Sequence, residues 1–162
     1  MAAEDVRINW GALSSALTVT DLASLADGNI WLSEALNDAE PHHEFVQLSY
    51  TIEFNATPVT GDYLELYLPL GNGDGTILWP GGPDNSEQAI TSNSAKAEFL
   101  QANRWIRRHE RATNHGAIFK GVVTLALRSP DFRFGVRPVG EALKSTGHTL
   151  KYRLGTYQRQ TS

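Results

Sequence analysis

Residues 44–54, Glu-Phe-Val-Gln-Leu-Ser-Tyr-Thr-Ile-Glu-Phe, decide the fold class. Successive side chains of an extended strand point to opposite faces, which puts Val46, Leu48, Tyr50, Ile52 and Phe54 on one side and Phe45, Gln47, Ser49, Thr51 and Glu53 on the other. This period of two predicts a half-buried strand.

Working outward, the same pattern recurs at short intervals. Residues 62–70 (DYLELYLPL) place Leu64, Leu66 and Leu68 opposite Tyr63, Glu65 and Tyr67, and Pro69, which lacks an N–H, marks an end or an edge. Residues 117–128, 131–139 and 149–157 are three further strand candidates, and Ala16 to Thr20 is a short β-branched run. Between them lie turn residues: Asp27-Gly28-Asn29, Gly71 to Gly75, Ser129-Pro130, and the Pro- and Gly-rich loop Trp79 to Asn85. Residues 95–111 fit a helix and a strand about equally, through Phe99, Leu100, Trp105 and Ile106. Flanked by strands, the segment is read as a strand, and any helix is expected to be confined to one or two turns.

Several short strands without alternating long helices predict an all-β chain, a β-sandwich of jelly-roll-like form. A length of 162 residues suits one domain, set at 16–162, preceded by an extended N-terminal arm over 1–15 with Trp10 as its anchor.

Composition excludes several functions. No window approaches the roughly eighteen apolar residues of a membrane helix, and the start, MAAEDVRINW, lacks the order of a signal peptide, so maturation in a cytoplasm-like compartment is expected. The absence of cysteine removes disulfides, thiolate metal sites and thiol nucleophiles. Within the net charge of −4, residues 1–90 carry fourteen Asp or Glu against the single Arg7, and residues 91–162 carry thirteen Lys or Arg against four acids. Either the halves interleave and neutralise each other, or they make head-to-tail contact between copies or with a charged partner.

The candidate sites narrow the function further. His42, His43 and Glu44 are adjacent and so diverge on a strand, and the spacing matches no zinc motif. Asn72-Gly-Asp-Gly75 resembles the middle of a calcium loop, but Leu70 and Gly81 stand where the loop needs an Asp and a bidentate Glu. No metal and no cofactor are therefore expected. The chain has no nucleophile elbow, phosphate-binding glycine loop or dinucleotide fingerprint, and no catalytic residue is assigned.

The basic run from Arg104 to Arg111 is the most informative. As a helix, Arg104, Arg107, Arg108 and Arg111 would form one stripe with Trp105 beside it. Its readings are an interface with an acidic protein surface, a solvated face, or nucleic-acid binding, which the sequence pI of about 5.7 opposes.

From Trp31 onward the layout resembles virion proteins of tailed bacteriophages over residues 20–160. One anchor is a turn, Trp31 to Leu36, the strand EFVQLSYTIEF and the Thr-Gly-Asp-Tyr step ending at Tyr63. The other runs from Phe134 to His148 and on to Tyr157. The Arg-rich run at 104–111 departs from that pattern. The resemblance implies a small β-sandwich in the virion, a decoration or cement protein that binds and stabilises the assembled lattice of the major capsid protein. A homo-oligomer is expected, a trimer suiting a site surrounded by three or six capsid subunits. The rivals are a tail or neck component, and a carbohydrate- or receptor-binding module with Trp79 as sugar platform.

Overall fold

Along strand β4, Phe45–Glu53, every second residue from Val46 to Ile52 is buried and those between are half-exposed, as the alternation requires. The computed structural model describes residues 6–12, 16–38, 43–71, 84–110 and 116–159. Strand β4 lies inside sheet I, whose antiparallel order is β1 (Val6–Trp10), β11 (Thr149–Arg159), β4 and β8 (Ile118–Ala126). Sheet II runs β6 (Gln88–Ile90), β2 (Ile30–Leu32), β10 (Gly135–Val139), β5 (Tyr63–Tyr67) and β7 (Trp105–Glu110), again antiparallel. A ribbon of β3 (Leu36–Asn37) and β9 (Asp131–Phe132) accompanies them.

The chain is thus all-β in class, and its main core fills the space between the sheets. Val46, Leu48, Ile52 and Leu150 of sheet I meet Trp31, Leu64, Leu66 and Val136 of sheet II there. A second, smaller core lies on the outer face of sheet II, where Ile30, Leu32, Tyr67 and Ile90 pack under Phe99.

Phe99 belongs to a helix, and this corrects the strand reading of residues 95–111. Helix α1, Asn93–Ala102, comes first and β7 follows. At ten residues α1 makes nearly three turns, more than the one or two expected. Ser92 starts it by accepting a hydrogen bond from the Ala95 N–H at 3.2 Å, and Asn103 ends it by donating its own N–H to the Phe99 carbonyl. The sequence fits two periods because it contains two elements.

Two strand expectations also change. Ala16 to Thr20 forms no strand: the chain leaves β11 at Gly11 and touches it again through Ala16 and Leu17, while Leu17 and Val19 enter the core. Residues 131–139 divide into β9 and β10, with the chain passing from the ribbon to sheet II at Arg133 and Phe134. Of the expected arm, the described part forms β1 and joins the edge of sheet I. The turn at Asp27-Gly28-Asn29 forms as expected, with Gly28 at φ +70°, where a side chain would be strained.

The charge asymmetry resolves towards interleaving. Glu53 pairs with Lys144 at 2.7 Å, and Glu65 pairs with Arg108 at 2.8 Å and Arg137 at 3.0 Å, each joining an acid of the first half to a base of the second.

Candidate functional site

Of the four arginines spaced for one helical stripe, Arg107 and Arg108 lie instead on opposite faces of a strand. Strand β7 pairs with β5 so that Leu64 opposes His109, Glu65 opposes Arg108, Leu66 opposes Arg107, and Tyr67 opposes Trp105 across a bulge. Opposed residues share a face. His109 therefore lies on the inner side, its Nδ1 3.1 Å from the Tyr50 hydroxyl and its ring edge-on to Phe119 at 4.9 Å. Arg107 shares that side and interacts with Tyr50, whose phenol is pushed up by burial more than Arg107 draws it down. Trp105 and Arg108 face outward. The Arg108 guanidinium lies 4.1 Å over the Tyr63 ring and 5.4 Å from that of Trp105. Arg111 lies outside the described residues.

Outside sheet II, Glu65 is the centre of a cross-strand row, Arg137–Glu65–Arg108. It is only 2% exposed. Its Oε1 accepts from Arg108 at 2.8 Å, and its Oε2 accepts from Tyr67 at 2.6 Å and Arg137 at 3.0 Å. Burial alone would raise its pKa, but these three donors and the charge of Arg137 outweigh burial and hold the carboxyl below its ordinary range. The Tyr67 phenol is driven up, by burial first and by Glu65 next. Beside this row, where α1 ends and β7 begins, Glu65, Tyr67, Leu100, Asn103, Arg104, Trp105 and Arg137 line a cleft of about 600 Å³.

Among the described residues, the outer face of sheet I has no such cover. Across three strands Arg153 donates to Gln47 Oε1 at 2.8 Å, and Gln47 donates to Thr124 at 3.0 Å, a fixed polar row. On one side of it lie Trp10, Phe45 and Tyr157, the last two edge-on at 4.7 Å. Trp10 sits on Gly155, where a Cβ would come within 2.7 Å of the indole, and the Arg153 guanidinium lies 4.9 Å over the ring. On the other side stand Val122 and Ile118, 53% and 47% exposed, while Tyr157 is 57% exposed.

His43 is held by Asp38, with Nδ1 2.7 Å from Oδ1, and His42 lies outside the described residues. Among the described residues no group of three His, Asp or Glu is arranged to hold a metal ion. The 72–75 turn and Trp79 also lie outside them. No protein-family model matches the chain, and no curated protein is significantly similar to it.

The residues that the sequence reading missed are Glu65, Arg137 and Arg133. The signal for Glu65 was one carboxylate in the apolar run DYLELYLPL. Arg133 is fully buried and donates to the carbonyls of Ser33, Asp84 and Ser86, which ties the segment before β6 to sheet II. Burial lowers its pKa to about 10, against the pull of Asp84 and Glu34.

Proposed function

We propose that this chain is a virion structural protein that decorates a capsid, binding the assembled lattice of the major capsid protein and bridging its subunits. The observation that carries the reading is the outer face of sheet I: a broad, open strand surface on which aromatic and aliphatic groups flank a polar row already fixed by hydrogen bonds. Such a face loses little side-chain freedom on docking. Its apolar groups contribute roughly 25 cal/mol per Å² removed from water, enough for many modest contacts repeated over a shell.

A protein that binds only the assembled state stabilises it by mass action, so no catalytic chemistry is required. On this reading the sandwich is jelly-roll-like, the chain assembles with copies of itself, a trimer for preference, and it matures in the host cytoplasm before residing on the capsid surface. Neither a cofactor nor nucleic acid takes part. A tail or neck component is the competing location. Copy number per particle, measured by quantitative mass spectrometry of purified virions, separates the two: hundreds of copies support a capsid role, and a few dozen or fewer exclude it.

A further inference from the structure

The cleft between α1 and β7 has features that neither the main core nor the open face of sheet I explains. Arg104 and Arg137 line the cleft together with a single carboxylate, Glu65, whose other oxygen is bound by Arg108 from β7. Arg108 and Arg137 are bound to Glu65, but Arg104 is exposed and has no ion-pair partner among the described residues. Arg137 also keeps its Nε buried without a hydrogen-bond partner. The C-terminal end of α1 offsets only about half a charge, and only near its last turn. Its Phe99 carbonyl is already capped twice, by the N–H and the Nδ2 of Asn103. The cleft is therefore electropositive, on a chain whose net charge is −4.

The walls have a second character. Trp105 is 51% exposed and Leu100 is partly exposed, and both line the same cleft as Arg104. A flat apolar group beside a guanidinium with no ion-pair partner among the described residues suits a ligand that carries an apolar side chain next to an anionic one. The shape opposes a nucleic-acid strand. Arg107 turns to the inner side, so no continuous basic track runs along β7, and Glu65 stands in the floor where successive phosphates would pass.

We propose that this cleft binds an acidic segment of a partner protein, an Asp or Glu side chain pairing with Arg104 while a neighbouring apolar side chain packs on Trp105 and Leu100. The assignment goes beyond the capsid-docking face and stands whether or not the chain decorates a capsid.

The test uses the intact chain in solution and follows the Trp105 indole N–H by two-dimensional NMR, its resonance identified by its loss in Trp105→Phe. The probe is the blocked peptide acetyl-Gly-Gly-Phe-Glu-Gly-Gly-amide. It should shift that resonance saturably, the glutamine version of the peptide should not, and Arg104→Ala should weaken binding by about tenfold, the loss expected for one charge-assisted contact. Arg104 is exposed, so the variant should melt with the wild type, which separates lost binding from lost folding. Equal binding of the glutamine peptide, unchanged affinity in Arg104→Ala, or no saturable shift would overturn the proposal. Tighter saturation by inorganic phosphate or a single-stranded oligonucleotide than by the glutamate peptide would overturn it in favour of a phosphate site.

Discussion

The outer faces of the two sheets are made from the same kind of strand and end in opposite states. On sheet II two outward residues of β5, Glu65 and Tyr67, are buried, because Phe99 of α1 and the side chains of β7 and β10 close over them. On sheet I the outward residues of β4, Phe45, Gln47, Ser49, Thr51 and Glu53, remain partly exposed. A carboxylate under cover needs its charge answered, and Glu65 has three donors. The open face needs only a polar row, and it leaves Tyr157 more than half exposed. Covering a sheet face buries its polar groups as paired structure; leaving it open lets them pair across the strands at the surface.

The largest expected effect comes from removing the cover. Phe99→Ala takes out the one buried side chain of α1 and should cost about 4 kcal/mol, as for other buried aromatic truncations. At about 2–4 °C per kcal/mol for a chain of this size, calorimetry should record a clear fall in Tm. A loss as small as that of an exposed residue would break the contrast between the faces.

Glu65→Ala should cost about 3 kcal/mol, because Arg137 and Tyr67 lose the partner that justified their burial. The pH dependence follows from the same group. Its carboxyl is held below its unfolded value of about 4.3, so the stability it adds is present above that pH and is lost as pH falls through the folded value. Denaturant melts between about pH 5 and pH 2 should show a fall in wild-type stability whose slope is shallower in Glu65→Gln. Identical slopes would mean that Glu65 is not the charge that sheet II holds.

The face of sheet I was the more legible of the two. Alternation in residues 44–54, 117–128 and 149–157 indicated three of its strands, because burial on one side alone leaves a period of two in the sequence. The site on sheet II was not legible, since Arg108 and Arg137 stand 43 and 72 residues from Glu65 and only the register brings them together. Helix α1 was missed for a local reason. Ser92 caps it without the Glu three residues on that would complete a capping box, and Phe99 is its only buried residue, too little for a helical stripe. The arginine stripe failed because residues 105–110 form a strand, in which the adjacent Arg107 and Arg108 point to opposite faces.

Smaller effects are expected on the open face. Val122→Asp and Tyr157→Asp should each cost only about 1 kcal/mol, from strand propensity and, for Tyr157, the edge contact with Phe45, since both side chains are more than half exposed. Urea titrations of the two variants check this, and a cost above about 2 kcal/mol would mean that the face is part of the fold rather than a surface kept for a partner.

The central claim is that this face docks on an assembled shell. For the proposed virion role, undecorated shells of the candidate particle are mixed with purified wild-type protein or with the Val122→Asp, Tyr157→Asp double variant, and occupancy is measured by sedimentation at matched concentrations. The account predicts saturating occupancy for the wild type and at least about a tenfold weaker affinity for the folded double variant, because two charges would be carried into a desolvated contact. Equal occupancy of both proteins, or no binding by the wild type, would contradict it.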